Sequence, residues 1–260
     1  MNPAAARGRG AALLLLALIT TPARALDFAP CAETGHEAFD CATLPVPIDR
    51  DGSVPGSIDL HVERQRGKDW LPVLVSVAGG PGYSSTAYRP KDDLKDLGYD
   101  VQLVVVDQRG TGRSGALESV APACRTLDDR LALRRCDEAL GPAGAFYRTA
   151  DSVLDLEAVR ASLGVERLIV LGVSYGTFLA AEYARRFPDR VQALVLDSPV
   201  GPEGGDRVRN RIRRRLGRPD HASPAGFYSA FRGGGGVATW SRGELPRAFA
   251  AEAGIGAVVG

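Results

Sequence analysis

Between residues 43 and 199 the apolar positions follow two rhythms in turn. The stretches TLPVPIDR (43–50) and SIDLHVERQR (57–66) alternate apolar and polar residues, as half-exposed strands do, with a Gly-Ser turn between them. LPVLVSVAGG (71–80) and VQLVVVDQRG (101–110) are nearly unbroken apolar runs ending in glycine, the pattern of parallel strands covered on both faces. DSVLDLEAVRASLG (151–164) changes to helical spacing, with Val153, Leu156, Val159 and Leu163 on one stripe and Gly164 as the stop. Next come a strand, VERLIVLGV (165–173), a helix, YGTFLAAEYARRF, ended by Pro188, and a strand, VQALVLDSP (191–199). Two leading strands followed by strand–helix alternation predict an α/β fold with a mostly parallel sheet. The strand at 191–199 is the sixth, and the pattern predicts none after it. No internal repeat is present.

The two ends depart from this middle. Arg7 and Arg9 precede the apolar run AALLLLALIT, too short for a stable membrane-spanning helix, and ARA at 23–25 offers a small-x-small cleavage site. Residues 1–25 therefore read as a signal peptide cut after Ala25, which places the mature chain in a secreted or periplasmic compartment without a membrane anchor. An uncleaved anchor is the alternative. The total charge of +1 divides into +3 on residues 1–25, −7 on 26–200 and +5 on 201–260. In the tail, arginines 207, 209, 211, 213, 214, 215 and 218 crowd together, Gly233 to Gly236 follow, and apolar periodicity is lost until a weak amphipathic stretch at LPRAFAAEA. The domain reading is thus signal peptide (1–25), α/β core (26–200) and atypical Arg/Gly-rich tail (201–260).

Four cysteines follow the signal as two close pairs, Cys31/Cys41 and Cys124/Cys136. Export to an oxidising compartment and proximity favour disulfides 31–41 and 124–136, each stabilising by about 2–3 kcal/mol. Zinc is the rival, but neither pair has CxxC-like spacing.

The chemistry sits at strand ends. Gly172-Val173-Ser174-Tyr175-Gly176 matches G-x-S-x-G between an apolar strand and an amphipathic helix, the setting of a nucleophile elbow. The glycines make room for the sharp turn that exposes Ser174; a serine that merely caps the helix is the plainer alternative. Gly79-Gly80-Pro81-Gly82 follows the strand that ends at Ala78. Acyl transfer needs two N–H donors on the developing oxyanion, and Tyr175 and Gly80 are the candidates, against a plain tight turn at 79–82. DQRGTGRSG (107–115) lacks the lysine of a phosphate loop and reads as structural, with Asp107 pairing to Arg109.

GGPGYSS, VVVDQRGTGRSG, DLEAVRASLG and GVSYGTFLAAEYARRFPDRVQALVLDS, in this order, resemble the α/β-hydrolase fold, and within it the proline iminopeptidase and secreted tripeptidyl aminopeptidase group of serine peptidases. CATLPVPIDR resembles the secreted branch. The resemblance covers roughly residues 31–200; Ala78 departs from it, standing where cytosolic relatives usually carry histidine. It implies a Ser-His-Asp acyl transfer on peptides or small acyl substrates, with no cofactor, metal or nucleic acid. Within enzymes, an esterase-like hydrolase is the runner-up.

The fold's order of serine, acid, histidine leaves few residues to complete the triad. Asp197 is a weak candidate acid, and His221, the one histidine after Ser174, is a weak candidate base with no apolar strand ahead of it. His36 and His61 precede the sheet core, and His61 reads as structural. The cap and final strands are expected to be missing, through a frame shift or deletion. A genuine basic tail that binds nucleic acid or an acidic surface, and a hydrolase that borrows its histidine from another chain, are the alternatives. The strand at 191–199 is then expected to be an exposed apolar edge, an aggregation hazard, and a catalytically inactive fragment is the competing functional class.

Overall fold

The computed structural model describes residues 25–33, 35–90, 100–125, 130–200 and 237–240. The signal-peptide residues before Ala25, the arginine cluster at 207–218, His221 and the LPRAFAAEA stretch lie outside them.

Strands β1 (Ala29–Pro30), β2 (Phe39–Pro47), β3 (Ser57–Gln65), β4 (Val73–Val77), β5 (Gln102–Val106), β6 (Leu168–Val173), β7 (Val191–Asp197) and β8 (Val237–Trp240) form one sheet. Their order is β1-β2-β3-β5-β4-β6-β7-β8. β4 to β7 run parallel to one another, while β1, β2 and β3 are antiparallel. The longer helices are α1 (Arg130–Leu140), α2 (Thr149–Ser162) and α3 (Tyr175–Arg186), and a single helical turn spans Leu117–Val120. The pattern of mixed leading strands and parallel core follows the sequence closely. β1, α1 and the 3-10 turns around it are not among the elements that the pattern predicts.

The unbroken apolar strands are buried on both faces. Val73, Val75, Val77, Val104 and Val170 face one core, into which α2 sets Val153, Leu156 and Val159 and α3 sets Leu179, Ala180 and Tyr183. Leu74, Leu103, Val105, Ile169 and Leu171 face the other, with Phe39 and Cys31. At about 25 cal/mol per Å² of apolar surface removed from water, these layers dominate the stability of the fold. Tyr183, fully buried, donates to Glu157 Oε2 at 2.8 Å, which ties α3 to α2. Burial and this carboxylate push the phenol's pKa well above its ordinary value.

Disulfides join Cys31 to Cys41 and Cys124 to Cys136, as their spacing suggested. The first ties the segment after β1 to β2; the second closes a small satellite core with Ala121.

Two expectations are corrected. β7 is not the edge of the sheet: β8 pairs antiparallel along it from Leu194↔Trp240 to Asp197↔Val237. The tail thus contributes a strand that satisfies β7's outer N–H and C=O groups, and continued strand–helix alternation would have made that strand parallel. Nor does the Gly-Ser turn alone join β2 to β3. Asp49 organises the loop by accepting the N–H groups of Asp51, Ser53 and Val54 at 2.9, 2.7 and 3.1 Å.

Candidate active site

Four parallel strands deliver their loops to one edge of the sheet, and Ser174 stands at its centre, where β6 turns into α3. Its φ of 53° and ψ of −116° lie outside the regions that L-residues ordinarily occupy. The strain is held by the surroundings. Ser174 N–H donates to Asp197 O at 2.8 Å on the neighbouring strand. Its own carbonyl accepts Thr177 Oγ1 at 2.6 Å, and that hydroxyl in turn accepts Val200 N–H at 2.8 Å.

Both flanking glycines are sterically required. A Cβ on Gly172 would collide with the carbonyl of Gly176, and one on Gly176 with the carbonyl of Val77 on β4. These contacts are with backbone, so no side-chain rotation relieves them. The helix therefore starts tight against β4 and β6, and the serine is left at the corner.

The loop after β4 comes up beside it. A Cβ on Gly79 would lie 2.8 Å from Ser174 Cβ and 3.4 Å from Oγ, so only glycine permits this approach. Gly80 has φ +108°, and the Gly80–Pro81 peptide is cis. Among the described residues, no protein acceptor takes a hydrogen bond from the backbone N–H of Gly80 or of Tyr175. The root of the loop is fixed from two sides: Ala78 N–H donates to Ser85 Oγ at 2.9 Å, and Ala78 O accepts Gln108 Nε2 at 3.0 Å. Farther along, fully buried Asp107 gathers the loop. Its Oδ1 accepts Ser84 Oγ and Thr86 N–H, both at 3.0 Å, and its Oδ2 accepts Thr86 Oγ1 at 3.1 Å and Arg113 N–H at 3.0 Å.

Asp107 and Arg109 do not pair, contrary to the expectation from the sequence. Arg109 instead forms a buried two-pronged ion pair with Asp155 of α2, Nε to Oδ2 and Nη2 to Oδ1, each 2.6 Å. Its Nη1 donates to the carbonyls of Ile48 and Phe146 at 3.0 and 2.7 Å. The two charges point to opposite sides of the strand end, Asp107 to the loop facing Ser174 and Arg109 to the helical layer. The strand has ended at Val106, so the alternation that would put residues two apart on one face does not govern 107–109.

Asp197 ends β7, opposite Val173 in the β6–β7 register, so its carboxylate stands one strand from Ser174. Its Oδ1 accepts Ser198 Oγ at 2.8 Å, and Ser198 itself has φ 53°. His36 and His61 are engaged elsewhere. His36 Nδ1 lies 2.9 Å and His61 Nε2 3.1 Å from Glu63 Oε1. Arg89 reaches the other oxygen of Glu63, Nε at 2.7 Å. Burial alone would raise the Glu63 carboxyl, but hydrogen bonds from His61 and Arg89 and their positive surroundings outweigh it and hold the pKa at about 2. This cluster was missed in the sequence. The available signal was Glu63 at a position of β3 that shares a face with His61. Cys31, Cys41 and Glu63 bring possible metal-ligand atoms within 4.8 Å of one another, but both cysteines are in the disulfide, which does not fit a metal ion.

The chain resembles known proteins along the same stretch. It is 30% identical to a tripeptidyl aminopeptidase of Streptomyces coelicolor over 209 residues, covering 68% of this chain and 38% of that protein. It is 31% identical to a proline iminopeptidase of Neisseria gonorrhoeae over 137 residues, covering 53% and 35%. A serine protease of Mycobacterium tuberculosis is 41% identical over 76 residues, 29% of this chain and 14% of its own length. The chain thus spans well under half the length of each of these relatives. Among solved structures, a proline iminopeptidase-related protein of Thermus thermophilus superposes with a TM-score of 0.37 at 27% identity, over 59% of this chain and 43% of its own. The model of the α/β-hydrolase fold matches residues 72–218, more than half of the chain, and spans Gly79, Asp107 and Ser174 alike. By that match, the chain belongs to the α/β-hydrolase fold family.

Proposed function

We propose that this chain is an exported serine hydrolase of aminopeptidase type, which removes residues or short peptides from free N-termini through an acyl-enzyme on Ser174. The single observation that carries the reading is the approach of two strand-end loops. Ser174, at positive φ, faces Gly79, which admits no Cβ, and the backbone N–H groups of Gly80 and Tyr175, in the same two loops, have no protein acceptor among the described residues. In this reading Ser174 Oγ attacks the peptide carbonyl carbon and loses its proton to a base. The oxygen of the tetrahedral adduct takes hydrogen bonds from Gly80 and Tyr175, donors worth roughly 100- to 1,000-fold each in such sites. The C–N bond then breaks, the proton passes to the departing amine, and water hydrolyses the ester. The names of the tripeptidyl aminopeptidase and proline iminopeptidase relatives support a peptide substrate. The two disulfides support export.

A second reading, a folded but catalytically inactive chain, is favoured by one observation. Both histidines among the described residues, His36 and His61, are committed to Glu63. In the first reading the base is then His221, with Asp197 as the acid that orients it. A fluorophosphonate probe separates the two. Covalent labelling of the full chain that is lost in Ser174→Ala and in His221→Gln supports the enzyme. Absence of labelling on folded protein supports the inactive chain.

A further inference from the structure

The loop that faces Ser174 has a second anchor, far from the serine, which the acyl-transfer reading does not use. Residues 78–90 are held near the site by Asp107, through Ser84 and Thr86. Three residues beyond Thr86, Arg89 crosses to the antiparallel part of the sheet and meets Glu63 of β3 with Nε at 2.7 Å and Nη2 at 2.6 Å. The Arg89 side chain is 8% exposed and that of Glu63 is wholly buried. Its guanidinium also lies 5.1 Å from the centre of the Phe39 ring and 2.6 Å from His36 Nδ1. His36 belongs to the segment that the Cys31–Cys41 disulfide closes. The same segment carries Glu33, which pairs with Arg113, the residue whose N–H donates to Asp107. Both active-edge loops therefore carry an arginine held by the disulfide-closed segment or by the strand beneath it.

We propose that Arg89 is a positioning residue for the loop opposite Ser174: by docking on Glu63 and His36 it fixes the far end of residues 78–90 and so sets the direction of the Gly80 N–H. The inference rests on Ser174 being the nucleophile. The physical reason is rigidity. Gly79, Gly80 and Gly82 have no side chains to pack, and a glycine loop keeps one geometry only if its ends are fixed. Donors to an oxyanion act through preorganisation, so a displacement of well under 1 Å weakens them. A buried ion pair buried on both sides and bonded through more than one nitrogen resists such displacement, and breaking it leaves an uncompensated charge. Glu63 is suited to the task because His36, His61 and Arg89 together keep it ionised.

The test measures the loop and the serine separately on the full chain. Arg89→Met keeps the aliphatic stem and removes the charge. Amide hydrogen exchange of residues 78–87 is expected to rise at least tenfold in this variant, while exchange of 168–173 on β6 stays as in the wild type. Ser174 labelling by a fluorophosphonate is expected to fall at least tenfold, with partial recovery in Arg89→Lys, which keeps the charge but not the planar fork. Unchanged exchange at 78–87 in folded Arg89→Met protein would overturn the inference. So would equal loosening across the whole sheet, the mark of a purely structural role. Should Arg89→Met not fold, His36→Gln removes a single partner of Glu63 and is expected to loosen 78–87 about threefold; no change there counts equally against the inference. If the wild type does not label at all, the hydrolase reading fails, while the exchange measurement still decides whether Arg89 anchors the loop.

Discussion

The loops after β4 and β5 leave adjacent parallel strands and read alike, GGPGYSS and DQRGTGRSG, yet they do opposite work. The first presses bare backbone against Ser174 and, among the described residues, leaves the Gly80 N–H without a protein acceptor. The second closes on itself. Gly110 N–H donates to Ser114 O at 2.9 Å, Ser114 N–H to Thr111 O at 2.8 Å, and Ser114 Oγ to Asp107 O at 2.7 Å. It then reaches out with side chains, Asp107 to the first loop and Gln108 to the carbonyl of Ala78. Glycine content does not distinguish the two roles. The fate of the backbone hydrogen bonds does: one loop leaves an exposed N–H open beside the serine, the other turns its N–H groups on its own carbonyls.

The largest effect should come from removing the side chain that joins them. Asp107→Ala leaves the buried Thr86 N–H and hydroxyl, and the part-buried Ser84 hydroxyl and Arg113 N–H bonds, without their acceptor. Calorimetry or denaturant unfolding should show a loss of about 4 kcal/mol, a few unsatisfied groups at 1–3 kcal/mol each, less what repairs itself. A stability close to wild type would mean that the two loops are independent.

Acid should loosen the first loop from its other end. The Glu63 carboxyl is lowered from 4.5 to about 2 in the folded chain. A depressed carboxyl contributes stability that is complete above the unfolded value, and the contribution drains away as pH falls from about 4.5 toward about 2. The shift corresponds to about 3 kcal/mol. Glu63→Gln should remove this part of the acid dependence, so its melting temperature should fall less than that of the wild type between pH 5 and about 2. Parallel curves would place the acid sensitivity elsewhere.

Substitution within the first loop should shift the balance from stability to reactivity. Gly79→Ala puts a methyl 2.8 Å from both Ser174 Cβ and the Val173 carbonyl. The backbone must retreat, at about 1–3 kcal/mol, and Gly80 retreats with it. Fluorophosphonate labelling of Ser174 should drop about 100-fold, the usual cost of one oxyanion donor. Labelling at the wild-type rate would remove Gly80 from the proposed site.

The parts legible in the sequence were those in which one local pattern implies one local structure. Val73 to Val77 had to be a doubly covered strand, Val153 to Val159 a helix face, and Gly172 and Gly176 a turn that excludes side chains. The parts that were not legible depend on pairs distant in the chain. Nothing near Arg109 indicates that its carboxylate is Asp155 rather than Asp107, because the chain leaves the strand after Val106 and the true partner is 46 residues away. Arg89 and Glu63 are 26 residues apart, one in the connection after β4 and the other on β3, and no local pattern links them. The strand at 237–240 has four residues and no alternation, so its pairing with β7 was invisible until β7's open edge was in place.

The smallest effect provides the sharpest control, since it repeats the Gly79 substitution in the loop next door. Gly115, after β5, has φ +66°, and a Cβ there would meet only Ile58 Cγ2 at 3.6 Å and Val120 Cγ2 at 4.0 Å, ordinary contacts. Gly115→Ala therefore carries the strain of a left-handed alanine and nothing more, about 1 kcal/mol. No backbone group of the first loop has to move, so Ser174 should label at the wild-type rate while the melting temperature falls by a few degrees. At Gly79 the same added methyl should cost reactivity above all; at Gly115 it should cost only stability. A Gly115→Ala protein that melts as the wild type but labels slowly would reverse the assignment, and would make the loop after β5 the one that touches the chemistry.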